Sequence, residues 1–135
     1  PLQNTQGLSV TGSMVLATRK LGWTGVDVSA VCLGTMTFGV QCDEAQSHAI
    51  IDAYVKRGGN FLDTAEMYPA PASDPRWKPG KTEEIIGTWV AKNKELREKL
   101  IIATKVSGFN PNSDTAGNRK VTLGGGGGGE KGIAK

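Results

Sequence analysis

A chain of 135 residues, 38% of them hydrophobic and 19 of them glycine, is long enough for one domain with a single core and short for two. No apolar run approaches the roughly 20 residues of a membrane span, and no charged-then-apolar leader reads as a signal peptide. The net charge of +3 does not describe the body: residues 1–114 hold 12 basic and 12 acidic side chains, and the excess comes from Arg119, Lys120, Lys131 and Lys135 against Glu130, a scatter that does not resemble the basic face of a nucleic-acid binder.

Residues 1–15 are polar and without period, which predicts a flexible leader beginning at Pro1. Val26 to Leu33 is β-branched and small, ends at Gly34, and predicts a buried strand with Cys32 as a small core residue. Cys42, in a polar turn, is expected to be a free thiol. Two such cysteines, with no CxxC and no histidine cluster, indicate neither a metal site nor a disulfide scaffold. They suggest a reducing compartment, either cytoplasm or an organelle stroma or matrix.

Asp43 to Arg57 carries helix signals at both ends. Asp43 is a natural N-cap with Gln46 three residues on, and Gly58-Gly59 supplies the stop. The apolar face is predicted to be Ala45, Ala49, Ile50, Ala53 and Tyr54, with His48 an ordinary surface residue. Asn60-Phe61-Leu62 predicts a short strand ending at Asp63. Pro69, Pro71, Pro75 and Pro79 then stiffen a long loop and exclude regular structure from it.

Thr82 is the predicted cap of a second helix, with Glu83 and Glu84 in its first turn and Ile85, Ile86, Trp89 and Val90 on its buried face. Charged residues from Lys92 to Lys99 close it, and Leu100 to Thr104 forms a third strand that ends at Lys105. The order β-α-β-α-β implies a parallel sheet. Residues 109–135 carry little signal beyond a scrap of strand propensity at Val121–Leu123. The six glycines Gly124–Gly129 read as a linker, a low-complexity insertion, or a stretch where the true side chains are not known.

In parallel α/β barrels, functional side chains lie where strands give way to loops at the C-terminal face. Asp63, Tyr68 and Lys105 all fall at such places and form a candidate proton-transfer set. A phenol with a reference pKa of about 10 is a weak acid near neutrality, and an adjacent ammonium strengthens it. An aspartate can in turn hold the lysine in place.

The segments around these residues are LGTMTFG at 33–39, FLDTAEMYP at 61–69, TEEIIG at 82–87 and IIATK at 101–105. In order and spacing they resemble the opening of aldo-keto reductases, over about residues 16–108. The resemblance implies an α/β fold, the N-terminal portion of a (β/α)8 TIM barrel with about three βα units and the barrel incomplete in this chain. It implies reduction of a small carbonyl substrate by NADPH without a metal. Tyr68 would be the proton donor, Lys105 the group that tunes it, Asp63 the partner of Lys105, and Gly34, Thr35 and Met36 a turn beside the cofactor.

The family's remaining catalytic residue, a histidine at the end of the next strand, has no counterpart here, and its main cofactor-binding segments are absent. A complete barrel runs to about 250 residues, so an open sheet edge is expected, which either further polypeptide of the same protein or the surface of a protein partner would cover. Two functions follow as expectations: a carbonyl reductase seen in its N-terminal part, or a non-catalytic structural subunit of a larger assembly. The loop from Pro69 to Gly80, including Trp77, is expected either to line the substrate mouth or to be a rigid surface loop.

Overall fold

A computed structural model of the chain describes residues 15–107. The expected leader, apart from Val15, and the glycine-rich segment lie outside the described residues. The described part is α/β. An antiparallel hairpin, β1 (Thr18–Lys20) and β2 (Asp27–Ser29), precedes a parallel sheet of β3 (Leu33–Gly34), β4 (Phe61–Asp63) and β5 (Ile101–Ala103), in that spatial order. Helix α1 (Glu44–Lys56) links β3 to β4, and α2 (Lys81–Lys92) links β4 to β5 through a 3-10 segment, Lys94–Lys99. These strands do not close into a barrel. No helix of the described residues is long and apolar enough to cross a membrane.

The ends of α1 form as their residues dictate. The Asp43 carboxylate accepts from the Gln46 amide at 2.8 Å, and the Gln46 side chain accepts from the Asp43 amide at 3.0 Å. At the other end Gly58 takes φ +81°. Its N–H donates to Val55 O and that of Gly59 to Tyr54 O, so the last carbonyls are satisfied. Gly59 cannot be larger, because an added Cβ would collide with the Tyr54 ring.

The buried face of α1 differs from expectation. Ala45, Ala49, Ile50 and Ala53 are exposed; Ser47 and Ile51 are buried, and Tyr54 and Val55 pack against the core. The two candidate stripes differ by a fraction of a turn, and alanines fit either side, so apolarity alone does not fix the phase. The helix is set instead by specific bonds. The Ser47 hydroxyl donates to Asp43 O, and the Tyr54 hydroxyl lies 2.6 Å from Ser29 Oγ, 2.7 Å from Val31 O and 2.8 Å from Phe61 O, while accepting from the Phe61 N–H at 3.1 Å. Tyr54→Phe leaves several part-buried groups short of a partner, and about 1–3 kcal/mol of stability should be lost, read as a lower urea midpoint at unchanged slope. A midpoint unchanged from the parent would remove this hydroxyl from the account of the fold.

The strand expected over Val26–Leu33 is broken into β2 and β3. Ser29 ends the first piece: its amide donates to Asn60 Oδ1 at 2.7 Å and its hydroxyl to Val31 O at 2.9 Å, which turns the chain before β3 begins. Asn60 also donates to Asp27 O, fastening the hairpin to the start of β4. Cys32, expected in the core, is exposed, and Cys42 is half-buried against the core; both are free thiols.

Helix α2 is capped by Gly80, not Thr82. Thr82 lies inside the first turn, fully buried, and its hydroxyl donates to Phe38 O at 2.8 Å, so the side chain ties helix to loop and does not cap. His48 is also more than a surface residue. Its side chain is 13% exposed, with Nε2 3.1 Å from both Ile85 O and Thr88 Oγ1, which joins α1 to α2. The core gathers Phe38, Ile51, Leu62, Ile85, Ile86, Trp89 and Leu100, with Leu33 and Ile102 packed against it. Leu33, Leu62 and Ile102 therefore face the helices. Alternation along the strands puts Phe61, Asp63, Ile101 and Ala103 on the opposite face.

Candidate active site

Parallel register carries the polar strand ends to one edge of the sheet. Gly34 is level with Asp63, and Asp63 with Ala103, two residues before Lys105. Lys105 Nζ donates to both carboxylate oxygens of Asp63, at 2.8 and 2.7 Å, to Thr64 O at 3.0 Å, and to the Tyr68 hydroxyl oxygen at 3.5 Å. It also stands 4.9 Å from the centre of the Tyr68 ring. Asp63 and Tyr68 thus share the ammonium of Lys105, which lies 42 and 37 positions further along the chain.

The backbone holds each member. Tyr68 is placed by a turn in which its N–H donates to Ala65 O. The carbonyl of Lys105 accepts from the Glu66 N–H, and Glu66 Oε2 accepts from the Ser107 amide and hydroxyl, which clasps the end of β5 to the loop after β4. Sequence reasoning missed this clasp, since a glutamate in a loop carries no signal of its partner.

The Gly34–Met36 turn divides its roles. Thr35 is fully buried, and both its amide and its hydroxyl donate to the Asp63 carbonyl, at 3.1 and 2.8 Å. It positions the backbone of the ion pair. Gly34 is exposed, and a Cβ added there would meet nothing within 4 Å. Met36 is 46% exposed, and its carbonyl anchors Ala70 in the following loop. Trp77 reaches back from that loop, its indole N–H donating to Met67 O at 3.3 Å.

The Asp63 carboxylate, opposed by desolvation and assisted by Tyr68, holds the Lys105 ammonium above its ordinary pKa of 10.5. A folded pKa above the unfolded one stabilises the fold below the unfolded value and ceases to do so as pH rises through the folded value. Denaturant midpoints should therefore be insensitive to the Lys105 ammonium around neutrality and fall above about pH 10.5. Lys105→Gln should remove that alkaline dependence; an unaltered alkaline limb in the variant would assign it to other groups. The Cys32 thiol is raised chiefly by desolvation and next by the Asp63 charge, with Lys105 opposing, which places it within electrostatic reach of the pair. Chemically, the arrangement offers a phenol beside a fixed ammonium, a pairing suited to giving up a proton and bearing the charge left behind.

Comparison with known proteins bears on this geometry. The sequence model described as Aldo/keto reductase family matches residues 30–123. Protein tas of Escherichia coli is 51% identical over 96 residues, covering 70% of this chain and 27% of that protein. Norsolorinic acid reductase A of Aspergillus parasiticus is 36% identical over 88 residues, 60% of this chain and 20% of its own length. Among solved structures, aldo-keto reductase AKR11C1 from Bacillus halodurans, in its holo form, superposes with a TM-score of 0.55 at 30% identity, over 74% of this chain and 29% of that one. The chain spans less than a third of the length of each of these proteins.

Proposed function

Because the chain belongs to the aldo/keto reductase family, we propose that it contributes the proton-donating part of an NADPH-dependent carbonyl reductase acting on a small aldehyde or ketone. The observation that carries this reading is the single ammonium of Lys105 bonded to Asp63 and directed at the Tyr68 hydroxyl. NADPH, when bound, supplies a hydride. The residues here fit such a group at one point, since the backbone at Gly34, level with Asp63 in the sheet, is exposed and unobstructed.

In this reading Tyr68 hydrogen-bonds the substrate carbonyl oxygen and gives it a proton as the carbonyl carbon gains the hydride, so the carbonyl becomes an alcohol. The phenolate left on Tyr68 is stabilised by Lys105 and regains its proton from solvent. Asp63 keeps Lys105 charged and aimed, and Thr35 keeps Asp63 in register. The test is NADPH consumption with a panel of aromatic and aliphatic aldehydes, matched to alcohol formed. Absence of stoichiometric alcohol from every aldehyde, with the rest of a barrel provided, would overturn the reading.

A second reading follows from the sheet, in which β5 is an edge strand with no further partner strand among the described residues. By itself the chain would then serve as a non-catalytic structural subunit, packed on other polypeptide. Fluorescence titration with NADPH separates the two: saturable binding by the 135 residues alone contradicts the structural reading.

A further inference from the structure

The pairing of β4 with β5 continues past the last strand residues. Beyond Asp63 and Ala103, the Thr64 N–H donates to Ala103 O at 2.8 Å and the Glu66 N–H to Lys105 O at 3.1 Å, in the spacing of a parallel pair. There the two backbones part: the Tyr68 N–H turns back to Ala65 O, and Val106 is exposed. The Glu66 side chain carries the pairing one step further, with Oε2 accepting from the Ser107 amide and the Ser107 hydroxyl, each at 3.3 Å. We propose that Glu66 is a positioning residue, whose carboxylate, by gripping Ser107, holds the Lys105 ammonium against the Tyr68 hydroxyl.

The lengths at Lys105 Nζ are the first ground. Its bonds to the Asp63 carboxylate, 2.8 and 2.7 Å, and to Thr64 O, 3.0 Å, are short, and all are made to the end of β4. The Tyr68 hydroxyl stands at 3.5 Å, the outer limit of a hydrogen bond, so a small further displacement removes it. Asp63 can therefore keep Lys105 while Tyr68 is lost. The second ground is the place of the clasp. Glu66 lies two residues before Tyr68, and Ser107 two residues after Lys105. One carboxylate thus joins the loop that carries the phenol to the chain end that carries the ammonium. Charge assistance makes a carboxylate a stronger acceptor for that purpose than a neutral group.

In this role Glu66 transfers no proton and acts through Ser107 and the backbone of Lys105. The division of labour is then specific: Asp63 places the ammonium at the end of β4, and Glu66 sets its separation from Tyr68. A phenol that must donate in one geometry depends on supports of this kind, since a shift of about 1 Å at a reacting group can cost about a hundredfold in rate. The catalytic consequence rests on the proposed role of Tyr68; the geometric one does not.

The test is NMR of the full chain, with the Lys105 side-chain signals identified by their disappearance in Lys105→Gln. The Tyr68 ring centre is 4.9 Å from Nζ, so Tyr68→Leu should move those signals by removing the shielding of the ring. In a Glu66→Ala background that response should be largely lost, and in Glu66→Gln, whose amide oxygen can still accept from Ser107, it should return. Ser107→Ala, which removes the hydroxyl and keeps the amide, should weaken the response in part, and serves if Glu66→Ala does not fold. An undiminished response in Glu66→Ala, or in Ser107→Ala where that variant stands in for it, would overturn the proposal, even with a lower Tm. With the rest of a barrel provided, Glu66→Ala should lower kcat about ten- to a hundredfold with substrate KM unchanged. A raised KM at unchanged kcat would also overturn it. Retained turnover in Tyr68→Phe would overturn the proposed function instead, and the Lys105 response would still decide the role of Glu66.

Discussion

Tyr68→Phe is expected to reduce kcat for NADPH-driven carbonyl reduction by about 10²–10⁴-fold, the range for removing a positioned proton donor, while leaving NADPH affinity unchanged. On the proposed reading the ring stays, and with it any surface it offers a bound cofactor; only the proton is lost. Single-turnover hydride transfer, measured on the chain together with whatever completes its barrel, separates the chemical step from binding. Lys105→Met removes the ammonium that touches both Asp63 and Tyr68 and should slow the same step without altering substrate KM. A kcat for Tyr68→Phe within a few-fold of the parent would mean that another group delivers the proton. The Asp63–Lys105 pair would then be a structural clamp at the strand ends.

Trp89→Ala should be the most destabilising single change among the described residues. Trp89 is 2% exposed at the centre of the core, and its indole N–H donates to Asp52 Oδ1 at 2.8 Å, which locks α2 to α1. Removing a buried tryptophan costs about 3–5 kcal/mol, against a total of about 5–15 kcal/mol for an ordinary domain. The expected result is loss of a cooperative thermal transition. Trp89→Phe, which keeps most of the packing and drops the hydrogen bond, should retain that transition at a lower Tm. A pair on the neighbouring helix tests its phase: Ile51→Ala should cost about 2–5 kcal/mol, and Ile50→Ala far less, since Ile51 is fully buried and Ile50 is 37% exposed. Equal costs at the two positions would restore the face expected from the sequence.

The meeting of Asp63, Tyr68 and Lys105 was more legible than the packing around it. Asp63 and Lys105 end apolar runs, and Tyr68 follows within a motif, so their roles can be hypothesised from position alone. Thr35 was expected in a turn beside the cofactor, and its bonds to Asp63 could not be read in the same way. Its work is to bond the carbonyl of Asp63, 28 positions away, and a threonine after a glycine looks like any turn residue. Asn60 and Ser29 are similar, since their hydrogen bonds tie the hairpin to β4 across 31 positions. Thr82 was misread for a related reason: a threonine ahead of two glutamates has the chemistry of a cap, but Phe38 O offered its hydroxyl another partner.

Local chemistry in the sequence determined where α1 begins and ends and that β-α-β-α-β folds into a parallel sheet. Capping groups, left-handed glycines and apolar runs act over a few residues, and neighbours in sequence suffice to specify them. The tertiary structure decided which side of α1 is buried, that Val26–Leu33 is two strands, and that Asp63, Tyr68 and Lys105 meet at one ammonium. Each of these depends on contacts between residues distant in sequence, whose energies exist only once the sheet has brought them together.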